Sequence, residues 1–318
     1  MKKKRILVTG AAGFIGFHLA RRLEKRGDIV LGFDNFNEYY DSRLKRERVL
    51  HLQNIEVIEG DLFDFDCIKK HITEFQPTHI VNLAAQAGVR YSINHPREYL
   101  KSNVEGFFNV LEVCREFPNI KLIYASSSSV YGENEKVPFS ESDTTDKIVS
   151  FYGITKKNNE MMAEVYSKLY DISVTGLRFF TVYGEWGRPD MAYFSFTKKI
   201  LNGEPIQVYN HGQMSRDFTY IDDIVDGIVA AIDLGAKCEI FNLGNSHPET
   251  LSRFVEIIEQ TLGKKAIKEE LPMQQGDVTK TFADLTKSRE NLNYNPKISL
   301  EVGIPKFISW YGKYFGVR

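Results

Sequence analysis

The chain of 318 residues carries 41 Lys and Arg against 42 Asp and Glu, a net charge of −1, so no basic excess points to a nucleic acid. A hydrophobic fraction of 42% with 26% charged residues is the balance of a globular domain, and no apolar run approaches the ~18 residues that a membrane-spanning helix requires. The basic lead-in Met1–Arg5 precedes only the short apolar stretch Ile6–Val8, too short for a signal peptide. Cys67, Cys114 and Cys238 are far apart and show no metal-ligand spacing, which fits a reduced, cytoplasmic protein without a metal site.

In chain order, β-branched runs at 5–8, 29–33, 55–58, 79–83, 121–125 and 174–179 alternate with helical patterns at 14–26, 64–75, 97–116 and 152–169. Several of the runs are apolar almost throughout, as parallel strands covered on both faces should be. The alternation predicts an α/β fold: a doubly wound (Rossmann) parallel sheet with right-handed crossovers. Beyond residue 180 aromatic, Gly and Pro residues crowd the chain, and only one helical pattern, 192–201, stands out. A helix at 222–234 and a strand at 239–243 return to the first rhythm, and helices at 250–262 and 300–315 follow. The expected organisation is a dinucleotide-binding unit of residues 1–180 and 219–244, interleaved with a smaller α/β substrate lobe of 181–218 and 245–318.

Directly after the first strand, and opening the first helix, lies Thr9-Gly10-Ala11-Ala12-Gly13-Phe14-Ile15-Gly16. Gly10 permits a tight turn, Gly13 lets the backbone approach a pyrophosphate, and Gly16 permits close helix–sheet packing. The helix N-terminus offers free N–H groups and the positive end of its dipole to the phosphates. Asp34 ends the second strand, near the usual spacing of about 20 residues, where a carboxylate accepts the adenosine ribose hydroxyls and repels a 2′-phosphate. NAD is therefore the expected cofactor. Asp61 and Leu62, past the third strand, stand where adenine contacts occur, although Asp61 can equally cap the next helix. Ala84 and Ala85 follow the fourth strand with side chains small enough for a cofactor lying against the backbone.

Tyr152 and Lys156 stand at i and i+4 on a predicted helix and project from one face. A tyrosine titrates near ~10 in water, so work as a base at neutral pH needs nearby positive charge such as the Lys156 ammonium. Ser126, Ser127, Ser128 and Ser129 end the fifth strand, the edge of a parallel sheet where ligands bind. A serine there can hydrogen-bond a reacting hydroxyl, while others of the four only cap the next turn.

Together these residues resemble the extended short-chain dehydrogenase/reductase superfamily over nearly the whole chain, and within it the NAD-dependent nucleotide-sugar epimerases. The closest likeness is to UDP-glucuronate 4-epimerases. It is carried by Ala85–Ser92, which includes Arg90, by Phe179–Gly184, Trp186–Met191, Arg216–Tyr220 and Leu271–Val278. One departure is Gly153-Ile154-Thr155 between Tyr152 and Lys156, where the family more often has alanines. The resemblance implies Tyr152 as general acid/base, Lys156 as its electrostatic partner and Ser127 as helper. It also implies Arg90 on the cofactor side, Thr181, Arg216 and Asp277 on the nucleotide sugar, and Val208 near the uracil. Gln274 stands where galactose epimerases have an arginine. Arg188, on a Gly-Arg-Pro loop, is expected to grip the C5 carboxylate with its planar guanidinium, the alternative being a brace against Asp190. Ser128 and Ser129 are the other groups expected at the substrate.

The implied reaction is 4-epimerisation of UDP-glucuronate through a 4-keto sugar, without net redox change. A UDP-glucuronate decarboxylase of the same superfamily would carry a glutamate where Ser129 precedes Val130-Tyr131-Gly132, and a dehydratase would carry an Asp-Glu pair at that strand end. A silent NAD-binding scaffold would be expected to lack Tyr152 or Lys156. Apolar positions Phe107, Val110, Met161 and Val165 at helical spacing fit the helix pairing of a homodimer, or packing on the sheet.

Overall fold

Strands β1 (Arg5–Thr9), β2 (Ile29–Asp34), β3 (Glu56–Glu59), β4 (His79–Asn82), β5 (Lys121–Ser127) and β6 (Ser173–Phe179) pair in parallel, as their near-continuous apolar runs require. The structure is a computed structural model and describes residues 3–273 and 279–317. Cys238–Leu243 adds the outer strand beside β6, giving a seven-stranded sheet in the order β3-β2-β1-β4-β5-β6-Cys238–Leu243. The chain reverses its direction of travel across the sheet between β1 and β4, and this is where open parallel sheets bind ligands.

Side chains of a strand alternate between faces, and β1 shows what that does here. Ile6 and Val8 join one core cluster with Phe17, Leu23, Ile123 and Phe241, while Leu7 joins the other with Phe107, Val110, Leu122 and Tyr124. The first cluster runs on without a break into Phe254, Ile258, Leu300 and Phe307, so the C-terminal helices Leu251–Leu262 and Leu300–Phe315 share a core with the sheet. Full burial of an aromatic or aliphatic side chain is worth about 1.5–3 kcal/mol, which makes this continuity the main tie between the two halves. Small strands complete the C-terminal half: Ile206–Tyr209 pairs with Lys268–Leu271, and Phe218–Tyr220 with Thr181–Tyr183.

Helix ends follow local chemistry. Phe14–Arg26 stops at Gly27, whose φ of 93° reverses the chain, and Phe65–Phe75 begins at Asp64, which accepts a bond from the Cys67 N–H at 3.0 Å. Asp64 thus takes the capping role considered for Asp61. The single helix expected at 97–116 is a short helix Pro96–Tyr99, a wide π turn Leu100–Glu105 and a helix Gly106–Glu116. Asn103, inside that wide turn, faces inward, accepts from the Gln86 N–H at 2.7 Å and donates to the Gln86 carbonyl at 3.0 Å. Phe107 and Val110 are core residues, at 1% and 0% exposure, whereas Met161 and Val165 stand at 58% and 50%. Helix Arg43–Leu50 had no expectation, because its inward positions Lys45 and Arg48 are cationic and break the apolar period. Among the described residues no helix is long and apolar enough to cross a membrane.

Beneath the ligand edge, Arg178 of β6 grips Glu160 with two bonds, Nε–Oε1 at 2.8 Å and Nη2–Oε2 at 2.9 Å, and Ser126 adds a third at 2.6 Å. Burial alone would raise the Glu160 carboxyl, but the Arg178 hydrogen bonds and charge outweigh it and hold the group below its ordinary value. Removing one partner of such a pair strands the other charge. Glu160→Gln is expected to cost about 3 kcal/mol, seen as a lowered melting temperature at neutral pH. Since the folded pKa is depressed, the pair stabilises above the unfolded carboxylate value and its contribution is lost as pH falls through the folded one. The melting difference between wild type and variant should shrink over that acid range.

Candidate active site

The turn after β1 is forced by close approach. Gly10 has φ +70°, and a Cβ on it would lie 2.8 Å from the Ala84 nitrogen. A Cβ on Gly16 would meet the Gly10 carbonyl oxygen at 2.1 Å, so only glycine lets the first helix lie this close to the end of β1. Gly13 precedes helix Phe14–Arg26, whose first turn has no side-chain cap and no acidic residue. Its N–H groups are thus left for an anion. The Thr9 hydroxyl bonds Asn82 Oδ1 at 2.7 Å and receives the Ala84 N–H at 3.2 Å, which pins β1 to the end of β4.

Along this edge runs a cleft of about 390 Å³, lined by Gly10, Gly13, Phe14, Ile15, Gly16, Asp34, Asp61, Leu62, Ala84 and Ala85, and farther along by Ser127, Ser128, Ser129, Tyr152, Lys156, Thr181 and Arg188. Asp34 accepts N–H bonds from Ala12 at 3.0 Å and Phe36 at 2.8 Å. Burial raises its pKa, against the pull of Lys45 and those two bonds. Asp61 is held by Asn35 Nδ2 at 3.0 Å.

At the other end, Ser127 and Tyr152 line the cleft together, and Ser127 works to lower the Tyr152 pKa. Ser127 Oγ also donates to Ser129 Oγ at 3.2 Å, and Lys156 Nζ donates to the Ala125 carbonyl at 2.9 Å. Ser126 turns away to Glu160 and is the structural member of the four. Burial pushes Lys156 down to about 8. Burial also raises Tyr152, opposed by the Ser127 hydrogen bond and then by the charge of Arg188. Lys156 Nζ sits 5.9 Å from the Tyr152 ring centroid.

Four expected residues stand elsewhere or differently. Arg188 does line the cleft, but Nε and Nη2 already grip Asp190, at 3.0 and 2.7 Å, so the fork expected to hold a substrate carboxylate is engaged by a protein carboxylate. Arg90 does not line the cleft; its guanidinium lies 5.0 Å from the Tyr209 ring centroid, toward the C-terminal half. Val208 is buried in strand Ile206–Tyr209, and Arg216 lies in the short strand Ser215–Arg216; neither lines the cleft. Asp277 and Gln274 fall outside the described residues. Cleft residues that carried no expectation are Asn35, Asn37, Tyr39, Tyr40, Lys45 and Gln86. The basic run Arg43–Arg48 was the available signal for Lys45, a buried cation between the exposed Arg43 and Arg46. Among the described residues no cluster of His, Cys, Asp and Glu can hold a metal ion.

Residues 6–244 match the NAD dependent epimerase/dehydratase family. This chain belongs to that family. It is 54% identical to an uncharacterised protein of Methanocaldococcus jannaschii, covering 98% of this chain and 97% of the relative. It is 48% identical to UDP-glucuronate 4-epimerase 4 of Arabidopsis thaliana, covering 98% of this chain and 76% of the relative. It is also similar to the crystal structure of UDP-glucuronic acid 4-epimerase from Bacillus cereus in complex with UDP-glucuronic acid and NAD. The TM-score is 0.91 at 33% identity, with 98% of this chain and 99% of the other covered.

The cleft fits the family's cofactor. The uncapped helix end suits the diphosphate, and Asp34, with one N–H on each oxygen, keeps lone pairs for two ribose hydroxyls. The same carboxylate opposes a 2′-phosphate, while neighbouring Lys45 would attract one. Asp34→Asn, which keeps an acceptor but removes the charge, should narrow the NAD-over-NADP affinity ratio by roughly tenfold in binding titrations. An unchanged ratio would remove Asp34 from the ribose.

Proposed function

We propose that the protein interconverts UDP-glucuronate and UDP-galacturonate by NAD-dependent 4-epimerisation. The observation that carries the reading is the convergence of Tyr152, Ser127 and Lys156 beside the hydroxyls of Ser128, Ser129 and Thr181, in one cleft with the glycine-rich turn. The identity to a plant UDP-glucuronate 4-epimerase supports it.

Bound NAD supplies a reversible hydride acceptor at the sugar C4. The Tyr152 phenolic oxygen takes the 4-hydroxyl proton as the C4 carbonyl forms and gives it back when the carbonyl is reduced on the opposite face. Ser127 Oγ bonds both the phenol and the sugar oxygen, keeping the proton path short. Lys156, anchored on the Ala125 carbonyl, places a cation on the Tyr152 side of the cleft and would hold the nicotinamide ribose. Between the two half-reactions the 4-keto sugar turns over while the uridine diphosphate stays anchored, a task we give to Val208, Arg216 and Asp277 of the substrate side. The intermediate is a β-keto acid, which loses CO₂ when its C5 carboxylate bond aligns with the carbonyl π system. Because Asp190 already holds Arg188, hydroxyls of Ser128, Ser129 and Thr181 are the groups that fix the carboxylate plane, with the Arg188 charge nearby.

In this reading residues 1–180 and 219–244 form the cofactor unit and 181–218 with 245–318 the substrate lobe, in a cytoplasmic enzyme. A second copy of the chain packs along the exposed stripe of Phe108, Met161, Val165 and Leu169, at 41%, 58%, 50% and 67% exposure, on helices Gly106–Glu116 and Phe151–Tyr170.

Incubation with UDP-glucuronate and separation of the products tests the activity: UDP-galacturonate is expected, and a UDP-pentose with CO₂ would overturn it. Tyr152→Phe should keep its NAD and its fold while turnover falls at least ~10²-fold, the usual size of a general acid/base contribution. Near-normal turnover would exclude Tyr152. Met161→Glu together with Val165→Glu should convert a dimer to a monomer by light scattering, and an unaltered mass would move the interface elsewhere.

A further inference from the structure

Arg48 is fully buried, at 0% exposure, and makes no ion pair among the described residues. Each of its five N–H donors instead meets a neutral oxygen. Nη1 donates to the Ala12 carbonyl at 2.9 Å and the Tyr40 hydroxyl at 2.7 Å. Nη2 donates to the Trp186 carbonyl at 2.7 Å and that of Gly187 at 3.2 Å, and Nε to Trp186 again at 3.1 Å. A buried cation is costly unless every donor is satisfied, and here the acceptors come from three separate segments of chain.

Two of those contacts fall on special backbone. The Ala12–Gly13 peptide leads directly into helix Phe14–Arg26; its N–H binds the Gly10 carbonyl at 2.9 Å, so Arg48 and Gly10 pin the peptide plane from opposite sides. Trp186 has φ +58°, a conformation that a bulky residue adopts only when its surroundings hold it there. Its ring is packed by Phe17, His51, Trp310 and Tyr314, and Arg48 takes its carbonyl twice. Two residues on, Arg188 enters the cleft.

We infer that Arg48 is a positioning residue that ties the Trp186–Gly187 turn, and through it Arg188, to the glycine-rich turn that seats the dinucleotide. Its effect on the sugar reaction rests on the epimerase reading; its effect on the cofactor turn does not. Loosening the clasp frees the Ala12–Gly13 peptide and lets Arg188 move away from the Tyr152 side of the cleft.

The test compares NAD release from the purified holoenzyme, measured without sugar, with the pH profile of turnover. Arg48→Lys keeps the charge but cannot reach five acceptors, and it should lose NAD roughly tenfold faster. Tyr152 faces Ser127, Lys156, Tyr99 and Arg188, and Arg188 pulls its pKa down. Displacing Arg188 should therefore move the acid limb of the profile to higher pH. If Arg48→Lys does not fold, Trp186→Asn and Trp186→Pro decide the matter. Both lose the ring, but asparagine tolerates a positive φ and proline forbids it, so only Trp186→Pro should show fast NAD release and the shifted limb. Wild-type NAD release and an unmoved limb in folded Arg48→Lys, or equal behaviour of the two Trp186 variants, overturn the inference. Absence of UDP-glucuronate turnover in the wild type would sink the epimerase reading alone, because NAD release still reports on the clasp.

Discussion

The cleft depends on one close approach, between the end of β1 and the end of β4. The chain leaves β1 toward β2 on one side and returns to its other side at β4, so two crossovers part at this point and leave a gap above the sheet edge. Gly10 fills the floor of that gap against the Ala84 backbone, where no side chain fits. The Thr9 hydroxyl locks the two strand ends together. Asp34, Asp61 and Ser127 then reach the same edge simply because parallel strands all end on one side.

Charge is handled in opposite ways above and below that edge. Below it, Glu160 and Arg178 neutralise one another in a nearly closed bidentate pair, a rigid support for β5, β6 and the helix carrying Tyr152. Above it, Lys45, Arg48 and Lys156 are buried cations that rest mainly on carbonyl or hydroxyl oxygens. Neutral acceptors satisfy the donors without cancelling the charge. Lys45 and Arg48 thereby keep a charge that acts on Asp34 nearby.

The elements with strong apolar periodicity were legible from the residues alone. Helix Phe14–Arg26 falls where the pattern puts it, and the seven strands of the sheet lie within a residue or two of the apolar runs. The meeting of the glycine-rich turn, Asp34, Tyr152, Lys156 and Ser127 along one cleft was legible too, because each sits at a fixed offset from a strand end or on one helix face. Helix Arg43–Leu50 was not, since a helix that buries cations against carbonyls leaves no apolar stripe to read. The π turn at Leu100–Glu105 was hidden for a related reason: it exists to bring Asn103 onto the Gln86 backbone, a contact between residues distant in the chain.

By itself the sequence determined the fold class, the glycine-rich turn and the shared helix face of Tyr152 and Lys156, all of which follow from local propensity and spacing. Tertiary structure decided how those groups are partnered. It set Arg188 against Asp190, Arg90 over Tyr209, and Ser126 on Glu160, and left Ser127 in the cleft with Tyr152. It also set the direction in which burial moves Tyr152 and Lys156. The physical reason is range. Hydrogen bonds and charges act between whatever the fold brings within a few ångströms, and neither spacing nor composition records which carboxylate, carbonyl or ring will stand there.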